Sequence, residues 1–111
     1  MENRKRNNHQ NSVYFAIADP TRREILDMLT SGNLALKEIS SKFPITRTAV
    51  SKHLKILQDA DLIRSQKIGR ETIYQASPEP LVEVQEWLEM YAKFWDEKLN
   101  CLKSFVENND L

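Results

Sequence analysis

The chain has one cysteine, two histidines and no long apolar run, and each shortage removes a class of function. Lone Cys101 can form no internal disulfide, which fits a reducing compartment. No apolar stretch approaches the roughly 20 residues that a membrane span requires. The N-terminus carries no apolar signal region either, so the expected location is the cytoplasm. A structural or sensing zinc site wants three or four Cys, His or carboxylate ligands. Cys101 and the acids around it cannot supply them from one chain, so no metal is expected. No constellation of Ser, Cys or carboxylate surrounds His53, so no enzyme is expected. Cys101 itself reads as a small apolar filler, or as a redox switch if exposed beside a cation such as Lys98.

What is present is ordinary for one soluble domain: 111 residues, 41% hydrophobic and 29% charged. A chain this short buries only a modest core, and a dimer interface would help it. Net charge is zero, yet the charges are unevenly spread. Residues 1–75 hold thirteen Lys or Arg against eight Asp or Glu, and residues 76–111 hold three against eight. A basic first half attracts anions locally even when the total cancels.

The basic half contains the stretch around which the chain is organised, Phe43-Pro-Ile-Thr-Arg-Thr-Ala-Val-Ser-Lys-His-Leu-Lys-Ile-Leu57. Thr46 suits a helix cap. Val50, Leu54 and Leu57 then recur on one side of a helix, with Ala49 widening the stripe. The other side holds Arg47, Thr48, Ser51, Lys52 and Lys55, with no acid until Asp59. Such a face suits phosphates and base edges, although any surface helix also carries a polar side. Upstream, Leu36 to Lys42 reads as a second short amphipathic helix, with Leu36, Ile39 and Phe43 on one side. The short turn forces the two helices to cross steeply, as in a helix-turn-helix.

Residues 1–11 show no periodicity and are expected to be a disordered tail. Their Arg4, Lys5 and Arg6 are either solvated or loosely held by phosphate. Ser12 suits the cap of a short helix carrying Val13, Phe15, Ile17 and Ala18. Asp19-Pro20 opens another, to Thr30, burying Ile25, Leu26 and Leu29. It ends at Ser31-Gly32, with Gly available for a left-handed residue. After Asp61-Leu62-Ile63 the pattern becomes strand-like, from Ile63 to Ile68 and from Glu71 to Ala76. Gly69-Arg70 between them suits a two-residue hairpin turn with positive φ at Gly69. Arg64, Lys67 and Arg70 project from this hairpin, as DNA-contacting charges of a wing or as solubilising ones.

Ser77-Pro78-Glu79-Pro80 is a stiff connector. Beyond it Leu81, Val84, Trp87, Leu88, Tyr91, Phe94, Trp95, Leu99, Leu102, Phe105 and Val106 mark one long helix. So much aromatic surface is too much to leave wet on a monomer. A two-fold pairing of these helices, joined by the first helix with Phe15, covers it, and a ligand pocket lined by the aromatics is the alternative. The ordered domain is therefore expected at 12–106, followed by a tail at 107–111. The fold class is mainly α with a small β-hairpin wing: a winged helix-turn-helix, homodimeric through its first and last helices.

Four segments carry a family resemblance: Ala18-Asp-Pro-Thr-Arg-Arg-Glu-Ile-Leu26, Ala49-Val-Ser-Lys-His-Leu-Lys-Ile-Leu57, Ala60-Asp-Leu-Ile63 and Gly69-Arg-Glu-Thr-Ile-Tyr74. In this order, between about Val13 and Phe105, they resemble the ArsR family of bacterial winged-helix repressors. The resemblance implies a homodimer that represses transcription by covering an inverted-repeat operator on double-stranded DNA. The helix from about Thr46 to Ala60 would lie in the major groove, with the hairpin as wing. The expected DNA contacts are Thr46, Arg47, Thr48, Ser51, Lys52, His53, Lys55, Lys67 and Arg70. Resembling members have a His at position 53, although on physical grounds it serves equally as a bond between the helix and its neighbour. Metal-sensing members carry a Cys pair on the first helix of the motif or a His and carboxylate set on the last. This chain has Leu36-Lys-Glu-Ile-Ser40 in the former place and no His beyond position 53. Pro44 stands where the family's turn usually has Gly, so the turn must reach its crossing without a left-handed residue there. The pattern is similar to the metal-free branch that includes SdpR-type autorepressors. Two alternatives stay open: a winged-helix module that binds a protein partner, and a regulator of the same fold that responds to a small organic effector.

Overall fold

The computed structural model describes residues 12–108; the tail expected at 1–11 and residues 109–111 lie outside the described residues. It divides into two compact units, one up to Leu81 and one from Val82.

The first unit begins with α1 (Val13–Ile17), capped by the Ser12 hydroxyl, which accepts from the Tyr14 N–H at 3.0 Å. Asp19 caps α2 (Pro20–Thr30) by accepting from the Arg22 N–H at 3.1 Å, with Pro20 in the first turn where a missing N–H costs nothing. Gly32 follows α2 at φ 155°, a conformation closed to side chains but far from the left-handed helical value expected there. The chain is already extending into β1 (Leu34–Ala35), a strand the sequence did not announce because two residues show no period. Then comes α3 (Leu36–Ser40), whose cap residue Ala35 donates its backbone N–H to the Glu38 carboxylate at 2.8 Å. It stops short of the expected Lys42, because the next N–H groups, on Lys42 and Phe43, bond only three residues back.

The turn through Phe43-Pro44-Ile45 contains no positive φ, so the crossing is reached without the glycine conformation. Helix α4 (Arg47–Asp59) starts where the Thr46 hydroxyl accepts from the Ala49 N–H at 3.0 Å. It ends in a Schellman motif with Asp61 in the left-handed place at φ 61°. The Leu62 N–H reaches the Leu57 carbonyl at 3.0 Å, and the Asp61 N–H the Gln58 carbonyl at 2.9 Å. That reversal drops Leu62 and Ile63 into the core.

Strands β2 (Ile63–Ile68) and β3 (Glu71–Ala76) pair antiparallel from Ile63↔Ala76 to Ile68↔Glu71, leaving Gly69-Arg70 as the loop with Gly69 at φ 64°. β1 pairs with β3 through Leu34↔Tyr74 and Ala35↔Ile73, so β3 is central in the order β1-β3-β2. The expected two-stranded wing is thus part of a three-stranded sheet. Ile25, Ile39, Val50, Leu54, Leu57, Leu62 and Ile63 are fully buried and form the core between helices and sheet. Buried Ser77 donates its hydroxyl to the Glu79 carboxylate at 2.8 Å, just before the last helix.

That helix, α5 (Leu81–Asn108), has 28 residues and extends two residues past the expected end at Val106. None of its residues is buried. Leu81 and Val84 are half-buried, while Trp87, Leu88, Tyr91, Phe94, Trp95, Leu99 and Leu102 are exposed. Its aromatics meet edge to face, Trp87 with Tyr91 at 5.2 Å and Phe94 with Trp95 at 5.7 Å between centroids. Cys101 is exposed on the same helix. No helix among the described residues is long and apolar enough to cross a membrane.

Candidate nucleic-acid interface

Helix α4 sorts its side chains by the angle each makes with the buried line of Val50, Leu54 and Leu57. At about 100° per residue, Thr48, Lys52 and Lys55 point directly away from that line, with Arg47 and Ser51 on one flank and His53 on the other. Thr46, Arg47, Thr48, Lys52 and Lys55 are exposed, and Ser51 is half-buried. Lys55 is not a free cation: its ammonium lies 3.2 Å from the Asp59 carboxylate, one turn on. Both partners are largely in water, so this pair is weak and a phosphate can displace it.

The hairpin adds two charges from different places. Gln58 of α4 donates to the Ser65 hydroxyl at 3.1 Å. Alternation along β2 puts Lys67 on the same face as Ser65, while Arg64 lies on the other. Arg70, at the tip, lines a shallow depression together with Arg47 at the start of α4, Lys37 and Thr72. Lys37 of α3 meets Glu71 of β3 at 3.0 Å, joining the helix pair to the root of the loop. The expected contacts Arg47 and Arg70 are therefore brought together, whereas Lys67 stands apart from that depression.

His53 is turned inward. Its Nδ1 lies 3.2 Å from Nη1 of Arg22 and 3.9 Å from the Asp19 carboxylate. Of the two roles open to this ring, the bond to a neighbouring helix is the one its Nδ1 makes. Arg22 is 7% exposed, and each of its three guanidinium nitrogens has a partner. Nε donates to the Ala16 carbonyl at 2.7 Å, Nη2 to the Phe15 carbonyl at 3.0 Å, and the Phe15 ring lies 5.3 Å beneath. Arg22 was not among the expected functional residues, but it carried a signal. It sits in register with Ile25, Leu26 and Leu29, the buried stripe of α2, where a charge needs a reason.

Burial pushes the Asp19 carboxyl upward, but the Arg22 N–H it accepts and the positive charge of the Arg22 guanidinium help to hold it below its ordinary value. Burial raises the Tyr74 hydroxyl of β3. Glu79 is lowered by hydrogen bonds from its own backbone N–H and from Ser77. Among the described residues, no group of three or more His, Cys, Asp or Glu is placed to hold a metal ion.

Comparison with known proteins gives this geometry a family. A helix-turn-helix domain model matches residues 17–66. The HTH-type transcriptional regulator Rv2034 of Mycobacterium tuberculosis is 34% identical over 86% of this chain and 87% of its own length. The transcriptional repressor SdpR of Bacillus subtilis is 36% identical over 70% of this chain and 87% of its own. Among solved structures, an ArsR-like transcriptional regulator from Rhodococcus superposes with a TM-score of 0.71. It is 33% identical, and the match covers 94% of this chain and 95% of that one. A cationic helix face, a hairpin beside it and these relatives converge: the chain belongs to the ArsR family of winged helix-turn-helix transcriptional regulators, DNA-binding proteins and not enzymes.

Proposed function

We propose that this regulator is a homodimeric repressor that binds an inverted-repeat operator in the cytoplasm without a metal cofactor. The observation that carries the reading is the exposure of the apolar stripe of α5, where Trp87 is 45% and Trp95 59% exposed. A soluble protein rarely leaves a contiguous aromatic surface of this size in water. A second copy covers it symmetrically and presents α4 twice, which is what two inverted half-sites require. Phe15, Leu81, Val84, Trp87, Leu88, Tyr91, Phe94, Trp95, Leu99 and Leu102 form that interface.

On the DNA side, Arg47, Thr48, Ser51 and Lys52 read the major groove, while Lys55, Lys67 and Arg70 bind phosphates, with Thr46 at the helix start. Repression rather than activation is supported by the name of the SdpR relative. Metal independence is supported by α3, whose Leu36-Lys-Glu-Ile-Ser40 offers no thiol.

The test is a fluorescence-anisotropy titration on duplexes selected from a random pool, repeated at several salt concentrations with a chelator present. A DNA reader of this charge loses affinity steeply and linearly in log salt as counterions are released, and the selected sites are inverted repeats about one helical turn between centres. A flat salt response would instead favour a protein partner for the same face.

A further inference from the structure

A buried guanidinium is costly unless its nitrogens find partners. Arg22 uses its donors on two targets at once. Nε and Nη2 bind the Ala16 and Phe15 carbonyls in the last turn of α1, where backbone acceptors outnumber intrahelical donors, and the Phe15 carbonyl also accepts from the Ala18 N–H at 3.2 Å. Nη1 binds Nδ1 of His53, midway along the recognition helix. Because a guanidinium has no acceptor, Nδ1 of His53 must hold its lone pair toward Arg22, which places the ring proton on Nε2. The Asp19 carboxylate at the cap of α2 accepts from the Arg22 backbone N–H and lies 3.9 Å from the same ring nitrogen.

We infer that Arg22 and His53 are a positioning pair that sets the rotation and seating of the recognition helix from behind, and that His53 acts on DNA through Arg22. The bond runs from the buried side of α2 to the flank of α4, across from Arg47 and Ser51. A helix lying in the major groove must place its reading side chains to within a fraction of an ångström. Val50, Leu54 and Leu57 fix its depth but, being apolar, tolerate small rotations. The directional bond at His53 removes that freedom. Its second end, on the α1 carbonyls, makes α4 follow α1 as one body.

The two ring nitrogens give the test, because an Asn side chain places its oxygen where Nδ1 is, and a Gln side chain places a polar atom where Nε2 is. Wild-type protein and the variants His53→Ala, His53→Asn and His53→Gln are titrated against a duplex selected by the wild type, with melting curves run in parallel. His53→Ala is expected to weaken binding at least tenfold. His53→Asn is expected to recover to within about threefold of wild type, and His53→Gln to stay near His53→Ala. Recovery by Gln and not by Asn would make His53 a direct DNA contact and overturn the inference, as would unchanged binding by His53→Ala. A double variant with Arg22→Lys is expected to lose no more affinity than the Arg22→Lys single variant, since the Arg22–His53 bond is already lost in it. Should Arg22→Lys fail to fold, nitrogen-15 NMR of the unmodified protein remains: a ring proton on Nε2 is expected, and one on Nδ1 contradicts the pair.

Discussion

Up to Leu81 the chain turns its large apolar side chains inward, and among the described residues of that unit only Ile45 and Ile68 are exposed large hydrophobics. In α5 the balance is reversed, and eleven large hydrophobics from Val82 to Val106 are exposed. The two regions have similar residue types but different obligations. The first closes its core with helices and a sheet of its own, while the second is one amphipathic helix, which can complete a core only against another surface. The contrast separates a region that completes its own core from a helix that leaves its apolar side exposed.

Substitutions can break that contrast, and the largest effect belongs to the first unit. Leu54→Ala removes a fully buried side chain from α4 and is expected to cost about 2–5 kcal/mol of stability, read as a drop in the urea midpoint. Trp95→Glu should hardly change the helical content but should abolish dimerisation and weaken operator binding by about 100-fold, or ~2.7 kcal/mol. Light scattering and anisotropy read the two consequences separately. If Trp95→Glu unfolded the winged unit instead, the two regions would not be separable.

Caps give effects of about 1 kcal/mol. Asp19→Ala removes the bond to the Arg22 N–H and should lower the melting temperature of the winged unit accordingly. Because the folded carboxyl lies below its ordinary 3.8, its contribution is present above that pH and is lost as pH falls through the lowered value. The difference between wild type and Asp19→Ala should therefore shrink in acid. Asp61→Gly goes the other way: relieving a left-handed residue at φ 61° should stabilise by roughly 0.5–1 kcal/mol. Smallest is Lys55→Ala, which should leave folding alone and reduce the salt slope of DNA binding by about one unit. An unchanged slope would mean that the Asp59 pair persists on DNA.

Much of this was legible before the structure. Asp19-Pro20 and Thr46 announced their helices because a cap is a local bond between neighbours, and the hairpin strands ended where Gly69-Arg70 required. What was hidden depends on distance or on missing signals. β1 is two residues long and exists only because β3 lies beside it. Asp61 occupies a place usually marked by glycine, so the Schellman turn left no signature. The depression shared by Arg47 and Arg70 joins residues far apart in sequence. Arg22 was visible as a charge in a buried register, but its partner His53 lies thirty-one residues away.

The central claim is that a second copy covers the aromatic stripe of α5. Light scattering at micromolar concentration, with tryptophan emission recorded on the same sample, tests it most directly. The account predicts a mass twice 13.0 kDa and blue-shifted emission from Trp87 and Trp95. A mass of 13.0 kDa with emission typical of tryptophan in water would contradict it.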